Sequence, residues 1–176
     1  MRSKISISNI IVISTIFILT AAVVILAVLS GSQNIKRIER QDNAVFVIKA
    51  DGREYNVTMD IINNIGITDF TADKKNSGLS PVSVKYQGVP LKTICDELDI
   101  DISGFKNCVA SAADGFYTSV PIGKVEDEDN VWIAVGLDNK SLLKREDGGD
   151  GPYMLVVRKD TFSQYWCKYL VELEFK

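Results

Sequence analysis

The chain has 176 residues, 23 acidic against 20 basic for a net charge of −3, with three cysteines and no histidine. A slight acidic excess with no basic face argues against a nucleic-acid partner. Without histidine the usual general base and the commonest metal ligand are missing, so any chemistry falls to carboxylates, thiols, tyrosine or a borrowed cofactor.

Residues 1–9 form a short N-terminal tail. From Ile10 to Leu29 twenty residues carry no charge. At about 1.5 Å per residue this run spans a hydrocarbon core of roughly 30 Å. It is longer than the ~7–15-residue apolar core of a secretory signal. It therefore reads as an uncleaved transmembrane anchor, although the small residues Ser30-Gly31-Ser32 leave cleavage open. Arg2 and Lys4 precede the run and Lys36, Arg37 and Arg40 follow it, a weak charge bias. A short tail, one span and a folded domain are the arrangement of a signal anchor. The expectation is a single-pass protein of the cell membrane with its C-terminal domain extracytoplasmic. Residues 30–43 read as a polar linker, with "NIKRIERQD" a short helical extension or spacer. Residues 44–176 are long enough for one domain with its own core.

Within that domain "AVFVIK" and "REYNVT" flank Asp51-Gly52, which predicts a hairpin. Thr58 before "MDIINNIG" reads as an N-cap and a short helix stopped near Gly66. Residues 67–81 begin as a strand and become a polar loop, and 82–86 form another strand. In "LKTICDELDI" Leu91, Ile94, Cys95 and Leu98 fall at i, i+3, i+4 and i+7, one apolar stripe on a short helix. Strands are predicted over 106–112, 116–122, 131–136, 153–158 and 167–175, separated by acidic or glycine-rich loops such as "EDEDN" and "REDGGDGP". The fold class is α+β, mainly β, with two or three short helices beside the sheets.

Four segments in this order, "GVPLKTICDELDID" (88–101), "VASAADGFYTSVPI" (109–122), "VWIAVGLDNKSLLKREDGGDGPYMLVV" (131–157) and "YWCKYLVELEF" (165–175), carry a likeness. Together they resemble the molybdopterin-binding oxidoreductase domain of the sulfite oxidase family, in its small, membrane-anchored, stand-alone form. The resemblance covers about residues 44–176. It implies a strand-rich α+β fold and a molybdenum held by a pterin dithiolene and one protein cysteine, a soft ligand suited to such a metal.

Here the sequence departs from the pattern. In the family the ligand cysteine lies upstream of the "G-V-P-L" turn, and the corresponding stretch, "GITDFTADKKNSG" (66–78), has neither cysteine nor arginine. Cys95 sits on a helix stripe, Cys167 alternates with Tyr169, Val171, Leu173 and Phe175, and Cys108 shares a strand face with Ala110 and Ala112. All three read as packing residues, with Cys108 kept as a pocket candidate. None has C-x-x-C spacing, and in an extracytoplasmic setting one disulfide with one thiol left over stays open. The n-region "MRSKISISN" also lacks the arginine pair used to export a folded, cofactor-loaded chain.

The hairpin at 107–121 gathers Cys108, Asp114 and Tyr117. The Asp114-Gly115 pair is explained by a tight turn. In the resemblance this hairpin borders the pocket, so Asp114 and Tyr117 are its first candidates, with Arg158 as a basic group for an anion. Trp166 matches the family's tryptophan, while Tyr165 stands where a lysine is frequent and Lys168 follows two positions later. "REDGGDGP" lacks the ligand spacing of a calcium loop, and its glycines read as the lead-in to a strand. "EDEDN" reads as a solvated loop, and Asn56-Val57-Thr58 and Asn139-Lys140-Ser141 fit the glycosylation pattern. No catalytic residue and no protein metal ligand are assigned. The expectation is a degenerate member of the fold, without cofactor, binding a small anionic ligand or a protein partner. The alternatives are a molybdopterin-dependent oxidoreductase with atypical ligation and a purely structural domain.

Overall fold

The computed structural model describes residues 7–74, 80–160 and 162–176, and for 7–11, 29 and 32–34 the backbone alone. Helix α1 runs Ile7–Asp42. Its side chains from Val12 to Val28 are exposed, and among the described residues no helix is long and apolar enough to cross a membrane. Two compact units divide the chain, the first ending at Lys36 and the second running Arg37–Lys176. The last turn of α1 thus belongs to the folded domain, where residues 30–43 were expected to be linker throughout. Gln41 is buried there, and Tyr153 Oη donates to Ala44 O at 2.9 Å.

The first sheet joins β1 (Val45–Ala50), β2 (Arg53–Thr58), β5 (Asn107–Ala112), β6 (Tyr117–Pro121) and β10 (Leu170–Phe175) in the order β2-β1-β10-β5-β6. Asp51 (φ 50°) and Gly52 (φ 73°) take the left-handed conformations that a two-residue hairpin turn requires, as the sequence predicts. The β1–β10 pair is parallel, so the two ends of the domain lie side by side in one sheet. Strand β5 buries Cys108, Ala110 and Ala112 on one face, the alternation expected of it.

The second sheet has the path β3-β4-β7-β8, with β9 also paired to β7. Its strands are β3 (Thr68–Lys74), β4 (Val82–Pro90), β7 (Val131–Leu137), β8 (Lys140–Ser141) and β9 (Met154–Val157). At Gly88 a Cβ would lie 2.1 Å from the Ile133 carbonyl oxygen, so the glycine of the "GVP" segment is required by the close approach of β7.

Helix α2 (Met59–Ile65) buries Ile62; Thr58 occupies its N-cap position without making a side-chain cap bond. Helix α3 (Leu91–Glu97) buries Leu91, Ile94 and Cys95, the predicted stripe. A fourth helix, α4 (Ile122–Glu126), follows β6 where the strand was expected to reach 122. Pro121 ends the strand there, because proline cannot donate to a ladder. One apolar core draws on both sheets and on α2, α3 and α4.

The acidic segment 126–130 is not simply solvated. Asp127 pairs with Lys159 at 2.6 Å, Asp129 pairs with Arg158, and Asn130 is buried with its Oδ1 accepting from Lys159 N. In "REDGGDGP" a 3-10 turn (Arg145–Asp147) ends at Gly148, and Gly149 and Gly151 pack against Leu143 and Leu142 where no Cβ fits. These contacts explain the glycines. Among the described residues no three acidic, cysteine or histidine side chains gather into a possible metal site.

Candidate functional site

The β5–β6 hairpin closes on Ala113-Asp114-Gly115. Gly115 N donates to Ala112 O at 3.2 Å, and Gly115 alone in the turn takes positive φ (91°). Asp114 Oδ1 accepts Phe116 N at 3.0 Å, so the carboxylate braces its own turn. Asp114 and Phe116 line a cavity of about 400 Å³. Its remaining wall comes from Met154 at the start of β9, from Ser163, Trp166, Lys168 and Tyr169 before β10, and from Lys74 at the end of β3.

Trp166 is fixed from three directions. Its Nε1 donates to Val157 O at 2.9 Å, its backbone N donates to Ser163 O at 3.2 Å, and its ring meets Tyr86 edge-on with centroids 5.9 Å apart. Tyr86 is buried; burial, followed by the nearby Asp150 and Asp138 charges, pushes its hydroxyl up to about 12. Tyr169 has φ 53°, a left-handed backbone uncommon for an aromatic residue. Two bonds hold it so: Tyr169 N donates to Asp150 O at 3.0 Å, and Ala113 N donates to Tyr169 O at 2.8 Å. The residue thereby clasps the hairpin turn to the segment before β9. Strain of this kind is found at ligand clamps and is held only where the surroundings over-determine it.

The cavity mixes charge with aromatic surface. Lys168 Nζ lies 2.8 Å from Asp150 Oδ1, while Lys74 has no ion pair among the described residues. Asp150 also lines a second cavity of about 490 Å³ with Asp138 and Lys140 at the β7–β8 turn.

The sequence candidates separate in space. Asp114 lines the cavity. Tyr117 is 72% exposed on β6 and is not among the lining residues. Arg158 is drawn elsewhere: its Nε donates to Thr71 O at 2.9 Å, it pairs with Asp129, and its guanidinium lies 5.7 Å from the Trp132 ring centroid. It lines a separate cavity of about 170 Å³ with Asp73 and Lys159. A long side chain takes the partner that is near in space, and "EDEDN" supplied one. Trp166 and Lys168 do reach the Asp114 cavity, whereas Tyr165 packs under Lys124, 5.5 Å from its ring centroid. Lys74 was missed, although it falls in the 66–78 stretch already singled out; residues 75–78 of that stretch lie outside the described residues.

The thiols do not suit a metal at this cavity. Cys95, Cys108 and Cys167 are all free and fully buried, and none lines the cavity. Burial pushes the Cys95 and Cys167 thiols up to about 12, and Cys108 higher still. A metal takes the thiolate, which these surroundings disfavour strongly. The donor set therefore does not fit a molybdenum centre that needs a protein thiolate; among the described residues the sulfur-containing residue in the cavity wall is Met154.

No family model matches the chain, and no curated protein matches it. Among solved structures the chain is similar to the crystal structure of the sulfane dehydrogenase SoxCD from Paracoccus pantotrophus, with 21% identity and a TM-score of 0.62. The match covers 77% of this chain and 38% of that one, so the chain spans well under half the length of its neighbour. At this identity the likeness is one of fold alone, and it supports the sulfite oxidase-like, mainly-β α+β architecture that the sequence motifs imply.

Proposed function

We propose that the domain is a degenerate sulfite oxidase-like module that binds a small anionic ligand in the Lys74–Asp114–Lys168 cavity, held at the outer face of the cell membrane by residues 10–29. The observation that carries this reading is the separation of thiols from the cavity. All three cysteines are sealed in the core, while the Lys74 ammonium, the Lys168 ammonium paired with Asp150, the Asp114 carboxylate and three aromatic residues line the open space. Such a wall suits recognition of an anion better than ligation of a soft metal. The uncharged run Ile10–Leu29 and the n-region without an arginine pair support the anchor and the export of an unfolded, cofactor-free chain.

Molybdenum and pterin content of the full-length protein purified from its own cells tests this. Neither should be present, and stoichiometric amounts of both would overturn the reading. A second reading, a molybdopterin-dependent oxidoreductase with atypical ligation, is favoured by the shared fold with a sulfane dehydrogenase. Fold does not carry chemistry by itself, and the same metal analysis separates the two.

A further inference from the structure

We propose that the tip of the β5–β6 hairpin docks into the phospholipid interface of the membrane that holds residues 10–29, with Phe116 and Tyr117 as the inserted side chains. The proposal rests on the anchor reading above and adds a second contact between the domain and the bilayer.

The first sheet has two ends, and the strand registers say which one the chain enters. Strand β10 starts opposite the end of β5, with Leu170 paired to Ala112. Strand β1 runs parallel to β10, with Val47 beside Glu172, so β1 also starts at that end. The turn at Ala113-Asp114-Gly115 and the junction of α1 with β1 therefore share one end of the sheet, and the Asp51-Gly52 turn closes the other. The end of α1 fixes the direction of the helix. Arg40 pairs with Glu172 within the sheet, whereas Arg37, about one turn earlier, comes to the hairpin tip. A Cβ at Gly115 would lie 3.9 Å from the Arg37 guanidinium nitrogen. Followed toward its N-terminus, α1 thus passes the hairpin tip as it leaves the domain. Leu29, the end of the uncharged run, precedes Arg37 by eight residues, about 12 Å of helix.

The tip is apolar. Phe116 is 48% exposed and Tyr117 72% exposed, and Tyr117 opens β6, the outer strand of its sheet. Single exposed apolar residues are ordinary, but two successive rings at one tip form a patch. Tyrosine, with an apolar body and a polar hydroxyl, settles at the headgroup level of a bilayer, where a neighbouring guanidinium meets lipid phosphates. Here the Arg37 guanidinium shares the tip with the Asp114 carboxylate. Ring insertion rather than charge therefore holds the tip, and phosphatidylcholine alone suffices as the partner.

Nitroxide quenching of the full-length chain in phosphatidylcholine nanodiscs tests this. The three native thiols are buried, so Ser119→Cys supplies a reactive thiol for a fluorophore and leaves both rings in place. Ser119 and Tyr117 alternate onto the same exposed face of β6, and Glu54→Cys puts the comparison label at the far end of the sheet. With a nitroxide on the lipid headgroup, the label at 119 should be quenched about threefold more strongly than the label at 54. Phe116→Ser combined with Tyr117→Ser should remove most of that preference while the native thiols stay unreactive. The comparison of 119 with 54 stands whether or not the serine variant folds. Equal quenching at 119 and 54, or a preference that survives loss of both rings in a folded variant, overturns the proposal and leaves the anchor standing. A label at 119 that is shielded from aqueous iodide but not reached by the lipid nitroxide also overturns it, because a protein then covers the tip. Chain that does not co-elute with the nanodiscs overturns the anchor reading itself.

Discussion

The Arg40 guanidinium lies 2.6 Å from the Glu172 carboxylate, tying the last turn of α1 to β10, and Lys49 on β1 reaches the same oxygen at 3.0 Å. Burial pushes the Glu172 carboxyl up, but hydrogen bonds from Arg40 and Lys49 outweigh it and hold the group below its ordinary value. A depressed folded pKa contributes stability above the unfolded value of about 4.3 and loses it as pH falls through the folded value.

Glu172→Gln should therefore lower stability at pH 7 by about 1–2 kcal/mol, discounted because the pair is partly exposed. The deficit should shrink progressively as pH falls from the unfolded value of about 4.3 through the depressed folded value. Urea midpoints at pH 7 and pH 3.5 give both values. A deficit independent of pH would assign the contact to packing rather than charge.

The thiols make a prediction of opposite sign. Their folded pKa values are raised by burial, so their contribution is fully present below the unfolded value of about 8.5 and lost as pH rises toward about 12. Native protein at pH 8 should react with no equivalents of a disulfide reagent, and denatured protein with three, the full cysteine count. Fast labelling of Cys108 in the native state would contradict its sealed position.

Gly88→Ala tests the close approach of β4 and β7. The added methyl would meet the Ile133 carbonyl oxygen at 2.1 Å and the Ala134 Cα at 2.9 Å, both backbone atoms. Separation of the strands should cost about 1–3 kcal/mol, visible as a lower denaturation midpoint. An unchanged midpoint would mean that the ladder here yields freely.

Ionic quenching of tryptophan reads the sign of the cavity. The chain has two tryptophans, so Trp132→Phe leaves Trp166, which lines the cavity with Lys74 and Lys168. Removing the Lys74 charge in this background with Lys74→Gln should weaken quenching by iodide and strengthen quenching by caesium. Quenching by both ions left unchanged by Lys74→Gln would remove the electrostatic basis for an anion site.

Much of the scaffold was legible in the sequence because its signals are local. The Asp51-Gly52 turn, the Leu91–Ile94–Cys95 stripe and the Cys108–Ala110–Ala112 alternation are set within a few residues by turn chemistry and by the 3.6 and 2 periods. Errors fell at element ends. Strand β10 begins at Leu170 rather than 167, since Tyr169 adopts a left-handed backbone and a bulge follows between Leu170 and Glu172. The end of α1 was read as a short helical extension or spacer, and its helix is borne out; its tie to the domain was not legible because the anchor, Glu172, lies 132 residues away.

The sequence by itself determined the fold class, the packed faces of Cys95 and Cys108 and the lack of a thiol in residues 66–78, all properties of composition and short-range pattern, whereas the burial of Cys167 comes from its bridge to Leu155 rather than from the expected strand alternation. Tertiary structure alone decided which charges meet. Lys74, Asp114 and Lys168 come from three separated segments, and they share one cavity because the β5–β6 turn, the end of β3 and the approach to β10 converge. Arg158, equally plausible from its position in the chain, was claimed by Asp129 and Thr71. Charge partners are chosen by distance in space, and no local period encodes that distance.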